Sequence, residues 1–353
     1  MKRHFEVLFE LARRPSLGAT RELQAATIAL LVSLALGSLL VFATGRSPAT
    51  VWWAMVTRVA DSPYAIGQVL YKATALVFTG LAVSVALDAG LFNIGGEAQL
   101  TAGVLACSTV GAALPASTPA ALAIPVCVLA AAAAGGAIGA LIGILRVTRS
   151  AHEVITSIML NAIVAGLTLW IGNTLLFRDG TTRGLAIAPG AELPLLGLGG
   201  SPANAALIIA LASALAVWWL RGRTTWGQAW LAIGRNAEAA RSVGISVGRV
   251  QILVMTGAGA LGGLGATSFV LGHKHAFEQG LGSGVGFLGI SAALLGRAHP
   301  FGIVLASLVL GFLSTGGLAV SDIIPKELTE MLQGIVVLAV ASSVPWVQRR
   351  SAA

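Results

Sequence analysis

The chain has 353 residues, of which 56% are hydrophobic and only 10% charged, with 44 glycines and a mean hydropathy of +0.87. Soluble globular domains carry about 25% charged residues, so this composition excludes one and places the chain in a lipid bilayer. A net charge of +8 and a pI near 10.5 do not imply a nucleic-acid partner. The basic residues are scattered through short loops rather than gathered into one patch.

Residues 1–24, "MKRHFEVLFELARRPSLGATRELQ", are too long and too charged for the leading region of a cleaved signal. The apolar run that follows ends "VFATGRSP" without an Ala-x-Ala cleavage site, so it reads as a retained transmembrane helix. Further apolar runs occupy 66–87, 98–114, 119–145, 154–176, 203–220, 250–271, 285–296, 301–320 and 331–347, which with 25–44 makes ten. The fold class is therefore an all-α polytopic membrane protein with about ten transmembrane helices. The run 285–296 is short for a hydrocarbon layer of ~30 Å, which takes ~20 helical residues to cross; it reads as a broken or half helix. Residues 25–347 form one transmembrane domain, flanked by segments 1–24 and 348–353.

Loop charge orients the ten helices, because Lys and Arg collect on the cytoplasmic side of short loops. With the N-terminus inside, fifteen basic residues fall on cytoplasmic positions (Lys2, Arg3, Arg13, Arg14, Arg21, Arg146, Arg149, Arg221, Arg223, Arg235, Arg241, Arg249, Arg297, Arg349 and Arg350). Six fall opposite: Arg46, Arg58, Arg178, Arg183, Lys274 and Lys326. Both termini are thus expected in the cytoplasm, with Lys72 inside the membrane.

Gly135, Gly139 and Gly143, and again Gly259 and Gly263, recur every four residues. Such ridges let helix backbones approach closely in lipid, where van der Waals packing holds helices together. Cys107 and Cys127 lie in apolar runs and act as small hydrophobes rather than a disulfide framework. There is no phosphate-binding loop of the Gly-x-x-x-x-Gly-Lys-Ser/Thr type, so the chain itself has no site to hydrolyse ATP. Gly284, Gly286 and Gly289 have dinucleotide spacing, but no strand precedes them, and packing explains them better. His152–Glu153 and His273–Lys274–His275 lack metal-ligand spacing and read as polar clusters at a membrane edge. No catalytic residue, metal or cofactor is assigned to this chain.

Polar residues interrupt the apolar pattern at "DAGLFNIGGEAQL", residues 88–100. Irregular backbone at membrane depth survives only buried in protein or lining a watery cavity, and intramembrane charge points to function by default. Two readings fit. Asn93, Glu97 and Gln99 line a solute path, hydrogen-bonding hydroxyls or a base edge, with Phe92 stacking; or Glu97 ties the break to a neighbouring helix. Asn161, two turns into the fifth run, either faces the path or bonds a neighbour. Lys72 and Asp88 near helix ends are explained by snorkelling or mutual pairing.

The loop 221–249 contains "AWLAIGRNAEAARSVGISVGRV". Asn236 is placed to cap a short helix over "AEAARSV", and Gly244 to end it in the left-handed conformation. A helix so short and poor in large apolar side chains cannot cross a bilayer. It should lie at the cytoplasmic surface, with Ala239, Ala240 and Val243 as a knob ringed by Arg235, Glu238 and Arg241. Little apolar area is offered to lipid, so the knob suits docking of a protein better than insertion.

These segments resemble a known family. "AIGRNAEAARSVGISVGRVQILVMTGAGALGGLGA" is similar to the cytoplasmic coupling loop of ABC-importer permeases of the simple-sugar, nucleoside and branched-chain amino-acid group. "DAGLFNIGGEAQL", "HEVITSIMLN" (152–161) and "GFLGISAALLGRAHPFG" (286–302) resemble further segments of that group, closest to its nucleoside-type branch. The resemblance implies a type II ABC-importer-like permease in a bacterial cytoplasmic (inner) membrane, paired with a second permease subunit, identical or related. It implies two ABC ATPase subunits that bind ATP and Mg, an extracytoplasmic substrate-binding protein, surrounding lipid, and nucleosides or else simple sugars as cargo. It assigns the ATPase-coupling role to Gly234, Arg235, Asn236, Glu238, Ala239, Ala240, Gly244 and Ile245. The alternative on residues alone is an ion-coupled secondary transporter working through Glu97 and Asp88.

Overall fold

The described residues of the computed structural model are 32, 34–177, 181–325, 327–328 and 330–335. Segments 1–24 and 348–353, Arg178 and Lys326 lie outside them. Helices α1 (Leu34–Ala43) and α2 (Pro48–Ala60) are bent by 112° from one another. There follow α3 (Pro63–Asp88), α4 (Gly96–Ala113), α5 (Ala120–Arg149) and α6 (Glu153–Ile171), the last continuing as a π turn through Leu176. Next come β1 (Arg183–Ala186), α7 (Ala206–Arg223), α8 (Thr225–Arg235), α9 (Ala237–Ser242) and α10 (Val247–Leu264). The chain continues with α11 (Ala266–Phe269), a π turn Val270–Lys274, β2 (Ala276–Glu278), α12 (Val285–Leu295) and α13 (Pro300–Ala319). The short ribbon is antiparallel, with Arg183 opposite Glu278 and Ala186 opposite Ala276.

Among the described residues, six helices are long and apolar enough to span a membrane, and the bent pair α1–α2 would make a seventh. The six correspond to runs 66–87, 119–145, 154–176, 203–220, 250–271 and 301–320. Run 98–114 is α4, which carries Glu97 and Gln99 in its first turns and is not apolar enough to be one of these six. Run 285–296 is α12, whose 11 residues reach only ~16 Å. Run 331–347 lies largely outside the described residues.

The chain divides into two compact units. The first comprises Met1–Ala73, Gly197–Ser201 and Leu308–Ala353. In it, Arg58 of α2 reaches past the end of α13, donating to Asp322 at 2.5 and 3.1 Å and to the Ala319 carbonyl at 2.6 Å. The adjacent guanidinium holds the Asp322 carboxyl below its ordinary range. Lys72 Nζ donates to Ser314 Oγ at 2.9 Å. Of the two readings for Lys72 and Asp88, mutual pairing does not form, because the two are ~24 Å apart along one helix.

The second unit, Thr74–Leu196 with Pro202–Ser307, is built on the glycine ridges. A Cβ on Gly135 would fall on the Gly259 carbonyl, one on Gly139 on the Met255 carbonyl, and one on Gly263 on the Ala131 carbonyl. The backbones of α5 and α10 are therefore in direct contact. Helix α4 joins them at the same level, since a Cβ on Gly103 would lie 2.5 Å from the Gly263 carbonyl oxygen. Helices α5, α6, α10 and α12 all pack on α4, which explains why a helix with so polar a beginning sits inside the unit.

The seam predicts a sharp contrast. Gly139→Leu should destabilise the detergent-solubilised protein by about 3 kcal/mol or more, as overpacking against backbone does, whereas Gly166→Leu, whose Cβ meets nothing within 4 Å, should leave the melting temperature nearly unchanged.

Candidate functional site

The segment between α7 and α10 is helical almost throughout. Thr224 opens α8, its hydroxyl accepting from the Gly227 N–H at 3.0 Å. Trp230 and Ile233 bury one face of α8 in the core of the second unit. This helix lies within the segment 221–249 read from sequence as a loop. Its signal was the spacing of Trp226, Trp230 and Ile233 at i, i+4 and i+7, a one-sided apolar stripe on 11 residues. The chain then leaves helical geometry at Asn236 (φ −157°, ψ 106°). Asn236 Oδ1 accepts from the N–H groups of Glu238 and Ala239 at 3.0 and 3.1 Å, a cap worth ~1 kcal/mol. Helix α9 has six residues and ends at Gly244, whose φ of +87° is open to glycine at little cost. The Ile245 N–H closes the turn on the Ala240 carbonyl at 3.1 Å.

The eight residues expected on this element divide by direction. Arg235, Asn236, Glu238, Ala239 and Gly244 are exposed, and Ile245 is half-buried. Gly234 and Ala240 turn inward. A Cβ on Gly234 would overlap the Asp88 carbonyl, and Ala240, 3% exposed, belongs to the core. Ala240 is therefore an anchor rather than part of the expected knob, which consists of Ala239 and Val243, the latter 76% exposed. The reason is helical geometry: on a six-residue helix lying on a surface, adjacent alanines point about 100° apart and cannot both face out.

The polar break runs from Ala89 to Gly95, and Gly96 already begins α4. Asn93 and Gln99, both fully buried, exchange their amides: Asn93 Nδ2 donates to Gln99 Oε1 at 3.0 Å, and Gln99 Nε2 to Asn93 Oδ1 at 3.0 Å. Asn93 Oδ1 also accepts from the Gly95 N–H at 3.0 Å. From α6, Asn161 Oδ1 accepts from the Ala98 N–H at 2.9 Å and its Nδ2 donates to the Ile94 carbonyl at 3.1 Å. Glu97 reaches across to α12, accepting from the Gly284 N–H at 2.7 Å and the Gly286 N–H at 3.0 Å. A Cβ on Gly286 would overlap the Glu97 backbone, so the N-terminal ends of α4 and α12 abut.

The five path candidates Phe92, Asn93, Glu97, Gln99 and Asn161 thus come together, but as a cluster that satisfies its own polar groups. The amides of Asn93 and Gln99 are turned to one another rather than to a cavity, and Phe92 is buried. Glu97 is half-buried. A carboxylate between two helix N-termini compensates donors that neither helix can pair internally, and it opposes both dipoles.

Other charged residues of the second unit also find local partners. Glu153, buried at the start of α6, lies 3.3 Å from Arg146 Nε and 3.9 Å from His152 Nδ1. Lys274 pairs with Glu278 at 2.9 Å on the ribbon. Asp88 pairs with Arg221 at 3.0 Å, a contact that the sequence reading missed.

The several membrane-length helices fit what comparison with known proteins finds. Residues 65–341 match the family described as "Branched-chain amino acid transport system / permease component". The chain belongs to this permease family. It is 34% identical to the guanosine ABC transporter permease protein NupP of Bacillus subtilis over 90% of this chain and 92% of that one. It is 31% identical to the glucose ABC transporter permease protein TsgB13 of Haloferax volcanii, over 90% and 86% of the two chains. It is also 31% identical to the nucleoside ABC transporter permease protein NupB of Lactococcus lactis, over 91% of each. The permease is thus the membrane-spanning component of an ABC importer, a transport protein rather than an enzyme. The ion-coupled alternative gives way to it.

If the break is a structural tie, Asn161→Ala should strand the Ala98 N–H and the Ile94 carbonyl at a cost of ~1–3 kcal/mol. Thermal unfolding of the purified permease should show that loss, while the apparent KM for solute stays within error of the wild type.

Proposed function

We propose that this permease carries nucleosides across a bacterial cytoplasmic membrane, with both termini inside and α8–α9 on the cytoplasmic face as the seat of an ATPase subunit. The observation that carries the docking reading is the capped, alanine-rich α9, whose exposed face offers Ala239 and Val243 within a ring of Arg235, Glu238 and Arg241. Topology alone requires only basic residues there. A rigid knob capped at one end and stopped by glycine at the other is what a cleft in a moving partner can grip. Movement follows if the knob fits the two nucleotide states of that partner differently.

In this reading ATP and Mg are held by two ATPase subunits, a second permease subunit completes the path, and an extracytoplasmic binding protein delivers the solute. The bilayer supplies the solvent for about ten crossings, with α12 and the α1–α2 pair as broken elements. Among the polar cluster, Glu97 is the member we place beside the path, since it alone keeps partial exposure there while bridging α4 and α12. Nucleosides are favoured as cargo by the names of two relatives aligned over about nine-tenths of this chain. Simple sugars are the second reading, favoured by the third.

Reconstitution with the ATPase and binding protein should give uptake of radiolabelled guanosine that requires ATP, and glucose should not compete. Cysteines at Ala239 and in the ATPase cleft should crosslink, and deletion of residues 235–245 should abolish uptake. ATP-independent uptake that survives the deletion would overturn the assignment.

A further inference from the structure

One guanidinium in the second unit holds three elements at once. Arg221, in the last turn of α7, reaches Asp88 Oδ1 from Nη2 at 3.0 Å and donates from Nη1 to the Ala298 carbonyl at 2.9 Å. Asp88 is the last residue of α3 and stands directly before the break that leads to Glu97. Its Oδ2 is buried without a hydrogen bond, so the bond through Oδ1 is the one that matters to it. Ala298 lies in the turn between α12 and α13, where Arg297 and Ala298 hold φ of +55° and +52°. Two successive non-glycine residues in the left-handed region need outside support. Arg221 and Ser84, whose Oγ donates to the same carbonyl at 2.9 Å, provide it. Trp218, nearly one turn before Arg221, packs on Phe301 of α13 with ring centroids 5.8 Å apart.

The same place bears on the docking helices. Gly234 of α8 sits directly on the Asp88 carbonyl, and α8 follows α7 after the single residue Thr224. Helix α12 is therefore gripped at both ends, by Glu97 at its N-terminus and by Arg221 with Ser84 at the turn after its C-terminus.

We infer that Arg221 is the positioning residue that transmits movement of α8–α9 to α12. This rests on the docking reading above. The planar fork of a guanidinium holds two acceptors in a fixed relation, which a flexible ammonium does not. A shift of the α7–α8 corner then carries Asp88 and Ala298 together. The break before Glu97 and the turn after α12 move as one, against the α4–α5–α10 seam, where backbone contact leaves no room to slide. The half helix α12 is the element displaced, and Glu97 is the contact that yields or follows.

Arg221→Ala would bury an unpaired carboxylate and invite misfolding. The test therefore uses Arg221→Lys, which keeps the charge, and the paired change Arg221→Gln with Asp88→Asn, which removes both charges. In the complete reconstituted transporter, the ratio of solute accumulated to ATP hydrolysed is measured; it does not depend on how much protein assembles. The ratio should fall about tenfold in the paired variant, within the usual span of coupling between sites, and by less in Arg221→Lys. A ratio equal to wild type in the paired variant overturns the inference, as does failure of both variants to assemble, which would make Arg221 purely structural. Crosslinking through Ala239→Cys with Arg221 intact reports docking separately, so a lost crosslink counts against the docking reading and not against Arg221.

Discussion

The second unit depends on backbone touching backbone where α5 and α10 cross. Lipid tails are as apolar as leucine, so burying apolar side chains between helices in a bilayer gains little, and close van der Waals contact must supply the attraction. Gly135, Gly139, Gly259 and Gly263 make that contact possible, and Gly103 brings α4 into it. With three helices locked at one level, α4 can stay central despite the carboxylate and amides of its first turns.

That central place creates a second problem, which the polar side chains solve. The start of α4 and the start of α12 face one another, each with N–H groups that no residue of its own helix can accept. Asn161 takes one from α4, and Glu97 takes two from α12. Asn93 and Gln99 stabilise the bend between α3 and α4. Residues that look like a binding site by composition are thus first of all the internal bonding of an interrupted helix. The same bonding ties α12 to the start of α4 through the Glu97 carboxylate as well as through the close approach of Gly286 to the Glu97 backbone.

Much of this was legible in the chain. Hydropathy located the spans α3, α5, α6, α7, α10 and α13 to within a few residues. The four-residue glycine spacing marked the faces that meet. The Asn236 cap and the Gly244 stop were readable because their partners lie two to five residues away. The inward turn of Ala240 and the existence of α8 were less so, since both follow from which side of a surface helix the core covers.

The sequence by itself determined the lipid environment, the membrane helices, their glycine faces and the short capped helix α9, because each rests on local composition or on contacts within one or two turns. Only the tertiary structure decided that Glu97 belongs to α12, 187 residues away, that Asn161 serves α4, and that Arg221 joins α3 to the α12–α13 turn. Those bonds pair groups with many acceptable partners of the same chemistry, and the choice among them is made by helix packing that no local pattern encodes.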